Sequence, residues 1–298
     1  MLQLRTMTLA EVRNLFEEWV GNVVAHRRRL RLGSKTPSEF ELSQLRQLWS
    51  LLVAHHQLGT RHYHTLTYHI APTIRYYREA ITTQPGLSHH CTLLDGEFPL
   101  IVETALWFHD AIYIPGSPHN EDDSKTLFYS VAKLITSPPY WDLVLDGIEC
   151  TKTLPMGELL NSITLKHPTS TFDTKVSREL AYTMRTLDLL RAAEYRRSFL
   201  ETQRRIFLEN PVDFQNFYNG ALWFAGFLKN NLEIFSHWPD KRVPDGIISN
   251  VNSLMELLDQ LPQTQLGRKS TTLLSLLHFV FASNSEEATR LREELQQE

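Results

Sequence analysis

Apolar residues recur at helical spacing along nearly the whole chain, and sustained alternation of Val, Ile and Thr is hard to find. A 3.6-residue period buries one face of a helix, whereas a half-buried strand needs a period of two, so the pattern predicts an all-α fold. In "SEFELSQLRQLWSLLVAHH", for example, Leu42, Leu45, Leu48, Trp49 and Leu52 share a face. A first helix is expected over residues 8–32, with Thr8 as N-cap, Gly33 as C-terminal cap, and the cations of "HRRRLR" at the negative end of its dipole. A second follows Pro37 and Ser38 and stops at Gly59 and Thr60. A third starts near Arg61 and runs through "RHYHTLTYHIAPTIRYYREA", with a kink or break at Pro72. "PGSPHNEDD" reads as a turn, with Asn120 capping the helix that follows. "SPPYWDLVLDGIECTK" is a short helix, and "TLPMGELLNSITLKHPTSTFD" is the least regular stretch. Helix resumes over 176–209, breaks at Pro211, and returns over 214–235, 247–261 and 271–292. With no internal repeat or low-complexity linker, residues 1–298 read as a single helical domain.

Composition narrows the function classes. The 298 residues are 42% hydrophobic and 21% charged, with a net charge of −4, so there is no general attraction to nucleic acid or anionic lipid. Cys91 and Cys150 form no CxxC pair, which argues against a disulfide framework and a thiolate zinc site. The N-terminal segment is charged too often for a secretory signal core. "LLSLLHFVFA", from Leu273, is about half the length of a membrane span. These features predict a cytoplasmic protein that binds neither membrane nor nucleic acid.

The chemistry concentrates where "ALWFHDAIYIPGSPHNEDD" places His109 and Asp110 at the end of an apolar helical run. A divalent ion without thiolates needs imidazole nitrogens and carboxylate oxygens supplied by separate rigid elements. His64, from the upstream "RHYH", together with His109 and Asp110 meets that need. On an ideal helix, at 100° per residue, His69 is turned about 140° away from His64, so only one of the two can share a face with a given partner. A fourth ligand is expected from a later helix, where Asp188 lies between Leu187 and Leu189 in an apolar run and needs a partner.

The order His64, His109-Asp110, Asp188 resembles the H…HD…D pattern of the HD superfamily of metal-dependent phosphohydrolases. More narrowly, "RHYHTL", "WFHDAIY", "NEDDS", "IECTK" and "TLDLL" follow the order of a subgroup with RxYHxL, FHDxxY and NExxS segments. The resemblance covers residues 45–210 and implies an HD-type helical bundle with additional N- and C-terminal helices, the latter over 211–298. It implies one divalent metal ion (Mn, Mg, Fe, Co, Ni or Zn) held by His64, His109, Asp110 and Asp188, and a small phosphate ester such as a nucleotide as substrate. It makes Asp110 and Glu121 the catalytic carboxylates, Glu121 orienting or deprotonating the attacking water. It also places Arg61 and Lys152 near the substrate phosphate. The chain departs from the pattern in three places. Tyr68 stands where a second His usually follows the first by four residues, Thr186 replaces an Asp, and no His follows Lys152 closely. These departures leave open an HD fold that keeps its metal but serves as a regulatory or interaction module.

Other clusters are read as structural: "SHHC" (88–91) as a polar loop, His55 and His56 as a helix-end pair, and "HRRRLRLGSK" as a solvated face. GxSxG, GxxxxGK and GxGxxG segments are absent, which removes support for serine-hydrolase, P-loop and dinucleotide-binding chemistry.

Overall fold

The fold is organised around one helix that is apolar on every side. In "FPLIVETALWF" no face is predominantly polar, and such a helix can be stable only when it is surrounded. The computed structural model describes residues 2–30, 39–57, 61–166, 174–209 and 214–260. Within them the protein is all-α. There is no β-strand among the described residues, only an isolated bridge between Leu2 and Glu194. The expected cap at Gly33, the boundaries at Pro37–Ser38 and Gly59–Thr60, the break at Pro211, the 271–292 helix and the stretch from Leu273 lie outside the described residues.

The α-helices are α1 (Leu9–Arg29), α2 (Glu39–Gln57), α3 (Ala71–Thr83), α4 (Phe98–Phe108), α5 (Asn120–Ile135) and α6 (Pro138–Glu149). They continue with α7 (Met156–Lys166), α8 (Thr174–Asp188), α9 (Arg196–Glu209), α10 (Phe214–Asn230), α11 (Leu232–Ser236) and α12 (Arg242–Gln260). Thr8 caps α1 in a reciprocal capping box with Glu11. The described part of the segment expected to be least regular contains α7, and the run from 176 to 209 divides into α8, a 3-10 turn (Leu190–Ala193) and α9.

The central helix, α4, is buried between α1, α3, α6 and α8. Trp19 of α1 donates its indole N–H to Thr104 at 3.1 Å, and Phe16 meets Trp107 edge-on at 5.5 Å. Its one buried carboxylate, Glu103, is held by Arg78 of α3 through two hydrogen bonds of 2.8 and 2.9 Å. A single hydrophobic cluster runs from Leu2 to Leu254, so the described helices after residue 210 share the core of the preceding ones. α12 backs the 3-10 turn that follows Asp188, and Asn250 donates to the carbonyls of Ala192 and Glu194.

α6 approaches α4 closely at Gly147. A Cβ there would stand 2.8 Å from the Cβ of Ala105. Gly147→Ala is therefore expected to force apart the two helices at the centre of the core. The overpacking should lower stability by about 1–3 kcal/mol in urea titration, despite alanine's better helix propensity. Unchanged or raised stability would show that this contact can relax freely.

Candidate metal centre

His109 follows the last residue of α4 and therefore inherits the position of a helix buried along almost its whole length. Its Nδ1–H donates to the carbonyl of Leu106 at 2.9 Å, which turns Nε2 toward the carboxylates of Asp110 and Asp188. Asp110 Oδ2 lies at 3.1 Å and Asp188 Oδ1, at the end of α8, at 3.3 Å. The fourth group is His69, whose Nε2 is 3.3 Å from His109 Nε2, 3.3 Å from Asp188 Oδ1 and 3.5 Å from Asp110 Oδ2.

His69, rather than His64, completes the cluster because the backbone from Arg61 is not the ideal α-helix on which the sequence argument relied. Residues 61–65 are irregular, and Leu66–Ile70 form a single π turn ahead of α3. The N–H groups of Ile70 and Ala71 donate to the carbonyls five residues back, of Thr65 and Leu66. The wider turn accommodates one more residue before α3 and changes which side chains face inward. Tyr68 is directed to α9, where its hydroxyl meets Thr202 at 2.9 Å and its ring lies between the guanidinium groups of Arg191 and Arg205. The next residue, His69, is fully buried and faces His109. Pro72 sits in the first turn of α3, where its missing N–H costs no helical bond, so it produces no kink.

His64 takes a different place. Its Nδ1 bonds Glu209 Oε2 at 2.5 Å, and its ring stacks on Tyr113 with centroids 3.8 Å apart. Glu209, at the C-terminal end of α9, also accepts the backbone N–H groups of His62, Tyr63 and His64 at 2.6–2.8 Å. Burial opposes charge on Glu209. The His64 imidazole and these N–H groups outweigh that and hold its carboxyl below the usual range, so it stays ionised. Nothing around Glu209 in the sequence, which there reads "IFLEN", marks it as the anchor of a segment some 145 residues upstream.

The cluster suits a divalent ion. The four donor atoms lie within 4.8 Å of one another. On metal bonds of about 2.0–2.1 Å, tetrahedral ligand atoms stand roughly 3.3–3.4 Å apart, close to the separations seen here. Asp110 Oδ2 and His69 Nδ1 are buried and have no hydrogen-bond partner among the described residues. Burial would push the carboxyl of Asp110 up, yet His109, His64 and His69 hold it well below the usual range. Asp188 likewise resists burial through His109 and His69 and falls to about 2. Both carboxylates therefore remain ionised, the state a metal requires.

The other predicted residues are placed as follows. After Asp110 the chain turns back onto α5. Asn120 exchanges two hydrogen bonds with the backbone of Ile114, and Ser124 does the same with Ile112. Asn120 is thus the first residue of α5 and the clip of the turn, and His119 occupies the cap position. The clip brings Glu121 to a cavity of about 250 Å³ that His64, Asp110, Tyr113 and Asp188 also line. Burial, reinforced by Asp110 and Asp188, raises the pKa of Glu121. Two larger clefts, of about 490 and 620 Å³, are lined by no histidine among the described residues.

Arg61 and Lys152 are engaged elsewhere. The partly buried guanidinium of Arg61 donates to the carbonyls of Asp110 at 2.8 Å and Ala111 at 3.2 Å, just past the C-terminal end of α4. The ammonium of Lys152 pairs with Asp122 at 3.0 Å and Glu149 at 3.1 Å. Neither is among the residues that line the cavity. Thr186, at the position of the missing Asp, is buried.

These placements separate two histidines that the sequence left in competition. His69→Ala should weaken manganese or zinc binding by at least about a hundredfold in isothermal titration. His64→Ala, which removes a neighbour and no donor, should change it by less than about tenfold. The reverse ranking would restore His64 as the ligand. Comparison of the chain with known protein families, with curated proteins and with solved structures finds no match.

Proposed function

We propose that the chain is an HD-type metal-dependent phosphohydrolase acting on a small phosphate ester such as a nucleotide. The observation that carries the reading is the convergence of His69, His109, Asp110 and Asp188 beside a cavity that also receives Glu121 and His64. A bound divalent ion would lower the pKa of a water and neutralise charge on the phosphoryl group. Glu121, which lines the cavity beside Asp110 and Asp188, accepts the proton of the attacking water. His64, held at Nδ1 by Glu209, lines the same cavity and positions the leaving group.

The lining narrows the substrate. Asp110, Glu121 and Asp188 are acidic, Arg and Lys are absent from the described lining, and Leu189, Ala192, Ile206 and Phe224 form apolar walls. A single phosphoryl group attached to a moiety with an apolar face suits this cavity better than a polyphosphate, whose further charges would find no cation. The volume suits a small molecule rather than a polymer.

Glu121→Gln should leave metal binding intact and reduce kcat for a phosphomonoester by about 10²–10⁴-fold in a manganese- or cobalt-supplemented assay. Equal turnover by the two proteins would remove Glu121 from the mechanism. If the metal-loaded wild type hydrolyses no member of a nucleoside monophosphate and sugar phosphate panel, the regulatory reading of the same fold takes its place.

A further inference from the structure

We infer that His89, His90 and Glu179 form a second site for a borderline divalent transition-metal ion, with zinc the best fit. The site does not depend on the function proposed above. Read as sequence, the histidines belong to one polar loop with too few fixed ligands. The fold supplies the third. The 3-10 helix Pro85–Cys91 packs so that both imidazoles meet Glu179, which projects from α8. Glu179 Oε1 lies 2.8 Å from His90 Nε2 and 3.3 Å from His89 Nε2, and the three donor atoms fall within 4.8 Å of one another.

His90 is held as a ligand needs to be. It is fully buried, its Nδ1 meets the hydroxyl of the buried Tyr77 at 3.1 Å, and its ring packs edge-on against Phe98. This outer contact fixes the ring and directs Nε2 to the site. His89 is half-exposed, and a cavity of about 300 Å³ lined by His89 and Glu179 supplies an entry path and room for a water as fourth ligand. Lys175 and Arg178 line the same cavity, so one carboxylate is offset by two cations. Selection then rests on imidazole affinity rather than on charge, which favours zinc over calcium or magnesium.

The test is equilibrium dialysis of the chelator-stripped full-length protein against micromolar zinc, with calcium as the control and melting curves to confirm folding. The wild type should bind two zinc ions per chain and no calcium at this site. Glu179→Gln and His89→Ala should each bind one, and Asp188→Asn should lose the other. Should Glu179→Gln fail to fold, His89→Ala, at the exposed ligand, decides. Zinc stoichiometry and affinity unchanged by His89→Ala or Glu179→Gln would overturn the site, whether or not Asp188→Asn loses an ion.

Discussion

One π turn, Leu66–Ile70, decides which histidine meets the two partly buried carboxylates, and the candidate centre depends on that choice. On a regular α-helix His64 and His69 would compete for one face. The π turn instead sends Tyr68 to α9 and His69 inward, and the cost of its wider hydrogen bonds is offset by contacts on both sides. Arg191 is the main support. Buried itself, it donates to the carbonyl of Tyr68 and pairs with Glu194, whose other oxygen accepts the N–H of Leu4. The π turn, the segment after Asp188 and the backbone at Leu4 are thus joined through one guanidinium.

The remaining parts of the site follow from the same logic of anchoring polar groups at helix ends. His109 is placed by the least mobile kind of element, a helix buried on all sides, and Asp110 follows it directly. Asp188 ends α8, and α12 braces the turn that follows. Glu121 arrives through a clipped turn and His64 through the Glu209 cradle. A site built this way has its donors fixed before any ligand arrives, which is what metal binding and phosphoryl chemistry both reward.

Much of this was legible in the residues. The all-α class follows from periodicity, because burial of one helical face leaves a repeat that no local detail can hide. His109, Asp110 and Asp188 stood out as polar groups interrupting apolar helical runs, and the structure brings all three together. What was not legible depended on departures from ideal geometry or on distant partners. His69 was set aside by a 100° step that fails in a π turn. Glu209 acts through contacts with residues some 145 positions away in the sequence, and nothing local to it signals that. Arg61 and Lys152 were placed by the motif segments they open and close, and those segments carry no sign of the partners the fold supplies: carbonyls following α4 for one and two carboxylates for the other. The loop with His89 and His90 looked ligand-poor because Glu179 lies on another element.

The measurement that bears most directly on this account is the anomalous scattering map of crystals grown with manganese. The account predicts a peak bonded to His69 Nε2, His109 Nε2 and the carboxylates of Asp110 and Asp188, with His64 still on Glu209. A peak bonded to His64, with His69 outside the coordination sphere, would contradict it, as would a fully occupied ion elsewhere with none among these four residues.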